Sequence, residues 1–332
     1  MAVLDGAALS STRRGGVPMR DVWSLALCAA ATILAAPACG FYGGGDDTAT
    51  LDATAPVPDA SVPPDAWVDV TDCAVELPCP AADTNKVSVC GRLYDVETDQ
   101  VIDVAGAMGE ACTAAATDGP CALRVRFYDA LDFVSNPEVA TPLEPTSLRI
   151  DACGRFVAVG VPRPQLGFLG VVVDDGEGAP DDHRPAVESR SVASGEPLAR
   201  FRAYAYRRAT DLAWSTQAGL IAADGQSFAD RGAILGIFLD GTAAPVSGVT
   251  ITTDGAVEPQ DTWAFSDGDR ARHTVDPALD ATGANGSTLL VNSNLVEHSG
   301  TGAEPSGCEW PALLAMAAPG VLFVDPMPIS CP

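Results

Sequence analysis

From Lys86 onward, apolar residues recur at every second position in short runs, and each run is stopped by glycine, proline or aspartate. Period two sends alternate side chains to opposite faces of a strand; a helix would need its apolar stripe to return about every 3.6 residues. In "ALRVRFYDA", Leu123, Val125 and Phe127 face one way, and Arg124, Arg126 and Tyr128 the other. "GRFVAVGVP" and "GFLGVVVDD" follow, separated by Pro162 and Pro164. In "LARFRAYAYRR", Phe201, Ala203 and Ala205 alternate with Arg202, Tyr204 and Tyr206, and "GAILGIFLDG", "GVTITTDG" and "STLLVNSN" repeat the style. Short strands punctuated in this way predict an all-β fold of the sandwich kind with little helix. Two helical stretches are expected. One starts at Trp310, with Pro311 in its first turn and "ALLAMAA" behind it. The other is a short turn near Thr210 and Asp211, either of which caps a helix well.

Such a chain needs an environment, and its cysteines point to an oxidising one. There are 10 cysteines, none spaced C-x-x-C, and the 3 histidines stand far from all of them. That scatter argues against a zinc ribbon or a thioredoxin-like site. Cys28 lies in an apolar N-terminal segment, and Cys39 stands at its end. Cys73, Cys79, Cys90, Cys112, Cys121, Cys153, Cys308 and Cys331 remain, an even set suited to disulfides. Proximity suggests Cys308–Cys331 and Cys112–Cys121, with Cys73, Cys79, Cys90 and Cys153 pairing among themselves.

Trp23 to Ala38 is apolar and uncharged, is preceded by Arg13, Arg14 and Arg20, and ends in small residues. It is short of the ~20 residues a membrane-spanning helix needs and has the anatomy of an export signal. Met19 offers an alternative start that leaves this signal whole. The segment ends Leu34-Ala35-Ala36-Pro37-Ala38-Cys39-Gly40. This resembles the lipobox of bacterial lipoproteins, although Ala36 stands where a large aliphatic residue is usual. The resemblance implies that Cys39 carries lipid. Gly40 in place of aspartate implies the outer membrane, whose lipid would be the protein's first partner. Ordinary cleavage near Ala38 would give a secreted protein instead.

Residues 40–72 combine Asp46, Asp47, Asp52, Asp59, Asp65, Asp69 and Asp72 with Pro56, Pro58, Pro63, Pro64 and a glycine triplet. A stretch like this cannot bury enough apolar surface to offset its ordering entropy. It reads as a tether reaching between ~30 Å as a coil and ~100 Å as polyproline II. The expected organisation is therefore a signal peptide at 1–38, a disordered tether at 39–72, a cysteine-rich β-sandwich at 73–200 and a second β-sandwich at 201–332 ending in a short helix. The division between the sandwiches lies between Asp175 and Gly232.

The halves share a plan. "VSVCGRLYDVETDQVI" (Val87 to Ile102) and "GAILGIFLDGTAAPVS" (Gly232 to Ser247) both run strand, aspartate, polar turn, apolar residues. At one offset Asp95 aligns with Asp240, Gln100 with Pro245 and Val101 with Val246. With "DGTAAPVSGVTIT", "IDACGRFVAVGVP" and "LGFLGVVV", the chain resembles the carboxypeptidase-regulatory-like domain family. That resemblance implies tandem transthyretin-like, or Ig-like, β-sandwiches with a non-catalytic role, and transfers no catalytic residue.

Charge limits the partners. The chain has 44 acidic against 19 basic side chains, a net charge of -25, and Lys86 is its only lysine. Nucleic acid is excluded as a partner by repulsion from the phosphate backbone. Chemistry is scarce in the motifs. There is no G-x-S-x-G elbow, no H-E-x-x-H and no phosphate loop. His298 sits between Glu297 and Ser299, but strand neighbours point to opposite faces, so no triad is implied. Asp267, Asp269, Asp276 and Asp280 are weak calcium candidates in a loop without EF-hand spacing. Trp214, Trp263 and Trp310 offer a glycan-stacking surface or a core. The expectation is a lipid-anchored envelope protein with a structural or interaction role and no cofactor, its partner an unidentified envelope protein or glycan. A glycan- or calcium-binding module is the second reading and an extracellular hydrolase the third.

Overall fold

The computed structural model describes residues 72–102, 123–175, 182–253, 262–291, 295–302, 310 and 313–329. The export signal, Cys39, the tether before Asp72, and Cys112, Cys121, Cys308 and Cys331 lie outside the described residues.

The alternating runs become strands, and the strands follow one plan twice. In the first copy β1 (Lys86–Asp95) pairs antiparallel with β4 (Arg155–Pro162), which carries β3 (Ser147–Ile150) on its far side. β8 (Leu198–Arg207) runs parallel to β1, with the short β6 (His183–Arg184) beyond it. The facing layer is β2 (Leu123–Asp129), β5 (Phe168–Asp175) and β7 (Ala186–Ser191), antiparallel in that order. Helix α1 (Ala130–Ser135) follows β2, with Asp129 accepting from the Leu131 amide at its start.

In the second copy β9 (Ala233–Leu239) pairs with β13 (Ser287–Val291), which carries β11 (Thr262–Phe265) and β12 (Val275–Asp276). β16 (Leu322–Pro328) is parallel to β9, as β8 is to β1. The facing layer is β10 (Thr250–Thr253), β14 (Leu295–Thr301) and β15 (Leu313–Met316), again antiparallel in order. The fold is an all-β tandem sandwich. β8 crosses position 200 and ends the first copy at Arg207, and β9 opens the second at Ala233, so we place the division at the helical connection between them. That connection is α2 (Arg208–Gln217), α3 (Leu220–Asp224) and α4 (Phe228–Arg231).

The copies match bond for bond at the strand ends. Leu93 donates to the Gly154 carbonyl and accepts from Ile102; Phe238 donates to Gly286 and accepts from Val246. Gly154 and Gly286 both have positive φ, 68° and 64°. A Cβ would fall 2.0 Å from the Ile102 carbonyl oxygen at the first and 2.7 Å from that of Phe238 at the second, so only glycine fits. The single-offset alignment slips by one residue within the turn. Tyr94 bridges Val101 whereas Leu239 bridges Pro245, so Val101 matches Pro245 and Ile102 matches Val246. The first turn holds one residue more.

β16 also pairs in parallel with β7, through Leu322 with Ala186 and Phe323 with Val187. The first copy's facing layer and the second copy's main layer thereby join as an eight-stranded sheet, ordered β12-β11-β13-β9-β16-β7-β5-β2. Strands buried on both faces lose simple alternation. On β8, Phe201, Ala203 and Ala205 fill the first sandwich core, while Tyr204 and Tyr206 enter a second core with Trp214, Phe228 and Phe265. Each large side chain so buried contributes about 1.5–3 kcal/mol.

Two helix expectations change. Leu313–Met316 is strand β15, not helix: pairing with β14 outweighs the helix propensity of alanine, leucine and methionine. The helix near Thr210 exists, but Arg207 stands at its N-cap and Asp211 lies inside it. The Asp211 carboxylate is buried and accepts from the Tyr206 hydroxyl at 2.8 Å, the Ser227 hydroxyl at 2.6 Å and the Ala229 amide at 3.1 Å. It ties α2 to β8 and α4 rather than capping its own helix.

Candidate functional site: an arginine-lined cleft and a stapled leading segment

The turn after β1 is built by Asp95, whose carboxylate accepts from the Thr98 amide and hydroxyl at 2.8 and 2.9 Å. Asp240 does the same for Thr242, at 2.8 and 2.7 Å, in the second copy. Each turn then places a non-glycine residue at positive φ, Asp99 at 57° and Ala243 at 60°. Both residues line a cleft of about 270 Å³ between the copies. The third such residue among those described, Arg200 at 56°, lines it too. Backbone held in this region costs of order 1–3 kcal/mol per residue and persists where the surroundings over-determine it.

Five arginines reach the cleft: Arg190, Arg200, Arg202, Arg270 and Arg272. Asp99 is the one acid in the lining. It pairs with Arg202 at 2.8 Å and Arg272 at 3.5 Å, and stands 3.9 Å from Arg270. Arg202 is stacked 4.1 Å from the centre of the Tyr94 ring and 5.6 Å from that of Tyr204. Burial opposes its charge, but Tyr204, Asp99 and Tyr94 outweigh that and hold it protonated. Arg272 is only 1% exposed; it donates to the Ser287 hydroxyl and the Val96 carbonyl, each at 2.8 Å. Arg190 is held by Glu188 at 2.5 Å. Burial pushes the Glu188 carboxyl up to about 7; Arg190 opposes this and Asp325 adds to it. The floor is apolar, with Leu198, Ile237, Leu239 and Pro326. A concave surface with fixed guanidinium donors over an apolar floor can hold an anion.

Beside the cleft, Glu97 bridges Arg207 at 3.3 Å and His273 at 2.8 Å, so the first copy's turn is tied to the loop before β12. The hydrogen bond to Glu97 raises the His273 pKa, against an opposing effect of burial.

The second feature is at the start of the described chain. Cys73 is bonded to Cys153 and Cys79 to Cys90, across 80 and 11 residues of sequence. These four cysteines pair among themselves, as expected. Arg155, fully buried, donates to the carbonyls of Asp72 and Val75 at 2.9 and 2.7 Å and pairs with Asp151 at 2.6 Å. Arg92 pairs with Glu76 at 3.1 Å. A segment without regular structure is thus bolted to β1 and to the β3–β4 turn.

The remaining expected sites fall elsewhere. Asp267, Asp269 and Asp276 each accept a backbone amide of their own loop, from Thr274, Ala271 and Ala278. Asp280 lies in the same loop, and among the described residues no three acidic, histidine or cysteine side chains converge on a metal position. Trp214, Trp263 and Trp310 are buried and form no stacking surface. Trp214 donates to the Arg272 carbonyl and Trp310 to that of Leu239, while Trp263 meets Phe228 edge-on. The His298 backbone lies in β14, opposite Thr253 and Leu313. Sequence reasoning did not find the arginine cleft, because its arginines come from three separate segments. The sequence does set Arg200 near Arg202 and Arg270 near Arg272 in an acidic chain, but Arg270 and Arg272 lie in a loop and Arg200 sits at positive φ, so the spacing alone does not place them on one face.

No protein family and no curated relative matches the chain. Among solved structures it is similar to the Bacillus anthracis TIE protein, with 10% identity and a TM-score of 0.20, covering 74% of this chain and 34% of that one. It is similar to a streptococcal ancillary pilin at 12% identity and a TM-score of 0.21, over 74% of this chain and 68% of the pilin. The shaft pilin SpaA from Lactobacillus rhamnosus GG gives the same identity and TM-score, over 74% and 98%. The chain thus spans about a third of the TIE protein's length. Overlaps this low identify neither a shared ligand nor a shared activity. Among the described residues no helix is long and apolar enough to cross a membrane.

Proposed function

We propose that this protein is a non-catalytic interaction module of the bacterial cell envelope, held by lipid on Cys39 and displayed on the acidic tether of residues 40–72. The observation that carries the reading is the double staple directly after the tether. Cys73–Cys153 and Cys79–Cys90 need an oxidising compartment, which fits the export signal. They also fix where a pull on the tether enters the fold. The load reaches the β3–β4 turn at Cys153 and the middle of β1 at Cys90, so it does not peel β1 from its end. A covalent attachment at that position stabilises the fold in any oxidising compartment and, in a tethered protein, also carries the load. An outer-membrane position follows from the lipobox resemblance and Gly40.

The test is metabolic palmitate labelling in a bacterial host, with fractionation of membranes. Label and membrane association are expected in the wild type and lost in Cys39→Ala. Soluble, unlabelled protein released from the wild type would favour the secreted alternative and end the anchored reading.

A further inference from the structure

We infer that the cleft between the two copies is a binding site for a small organic anion that carries two or more carboxylates on an apolar body. The inference does not depend on the anchor.

The charge distribution comes first. The chain is -25 overall with only 19 basic side chains, yet 5 arginines line this one cleft against a single acid. Two of them are under-used. Arg200 has no charged partner among the described residues, and Arg270 approaches Asp99 no closer than 3.9 Å. Both are open to solvent and free to meet a ligand. Arg202 is fixed from behind by Tyr94 and Asp99, so its guanidinium is already oriented. Pre-set guanidinium forks match the planar, two-oxygen geometry of a carboxylate.

The lining then selects the ligand class. All its residues lie on strands and in the turns and loops between them. None comes from the start of a helix, whose free amides are the usual cradle for a phosphate. The apolar floor would be wasted on a bare inorganic anion and suits a carbon skeleton. The backbone strain supports a built site: every non-glycine residue with positive φ among those described lines this cleft, and one of them, Arg200, is itself an under-used donor.

The experiment is calorimetric titration of the full chain with phthalate, two carboxylates on an apolar ring, in low salt, beside sodium sulfate at matched ionic strength and a synthetic peptide of residues 46–59. The variants are Arg200→Gly, which suits the positive φ and so keeps the fold, and Arg270→Ser. Phthalate is expected to bind at a 1:1 ratio. Each variant should weaken it roughly tenfold, the worth of one charge-assisted hydrogen bond, with an unchanged melting temperature. No phthalate binding, equal binding of sulfate, binding of the acidic peptide alone, or phthalate binding indifferent to both substitutions would each overturn the inference.

Discussion

Asp99 and Ala243 hold the same place in the two copies, each at positive φ in the turn after the first strand, and each lines the same cleft. Only Asp99 carries charge. The duplication has been broken at the position where the copies meet, and the acid supplies the counter-charge for a buried Arg272 contributed by the other copy.

Asp99→Ala should therefore destabilise the protein by about 2–3 kcal/mol in urea unfolding, because it leaves Arg272 buried without its acid. Asp99→Asn should cost clearly less. Asparagine tolerates positive φ and keeps an oxygen beside Arg202.

Glu188 sets a pH dependence. Burial raises its pKa in the folded protein from the ordinary 4.5 to about 7. Between those two values the folded protein binds a proton that the unfolded chain does not, so stability falls as pH rises from 4.5 to 7 and then levels. The loss is at most about 3 kcal/mol. Glu188→Gln should flatten that slope in thermal melts between pH 5 and pH 8, and should melt higher than wild type at pH 8.

His273 should titrate above the ordinary histidine value of 6.5 by NMR, because Glu97 bonds its imidazolium. Glu97→Gln should bring it back down. Since the folded pKa of His273 is the higher one, stability from this pair is present below 6.5 for as long as Glu97 stays ionised, and is lost as pH rises through the folded histidine pKa.

Non-reducing peptide mapping should recover Cys73 linked to Cys153 and Cys79 linked to Cys90. The double variant Cys73→Ser with Cys153→Ser should lose about 2–4 kcal/mol. It should also expose Arg155 and the Asp72–Glu76 segment to proteolysis.

The fold class was legible because period-two burial is a local property: Leu123, Val125 and Phe127 all enter the first core as the pattern implied. The tandem plan was legible from the two aspartate turns. What failed was non-local. Nothing near Leu313 reveals that β14 waits beside it, so its helix formers misled. Nothing around Tyr204 reveals that both faces of β8 are covered. The three tryptophans could not be placed inside or outside from composition alone, and burial decided it. The arginine cleft required knowing that Arg190, Arg202 and Arg272 converge from distant stretches, which only the pairing of the two copies establishes.

The insertion of β16 between β9 and β7 has a consequence for how the molecule is made. The last described strand is the keystone of the largest sheet, and it touches both copies. Synthesis from the N-terminus delivers that strand after the other fifteen described strands, so the inter-copy sheet stays open until both copies are otherwise made. Completion is then a single late event with very long-range partners, which predicts slow final closure. The early disulfides hold the first copy together while it waits.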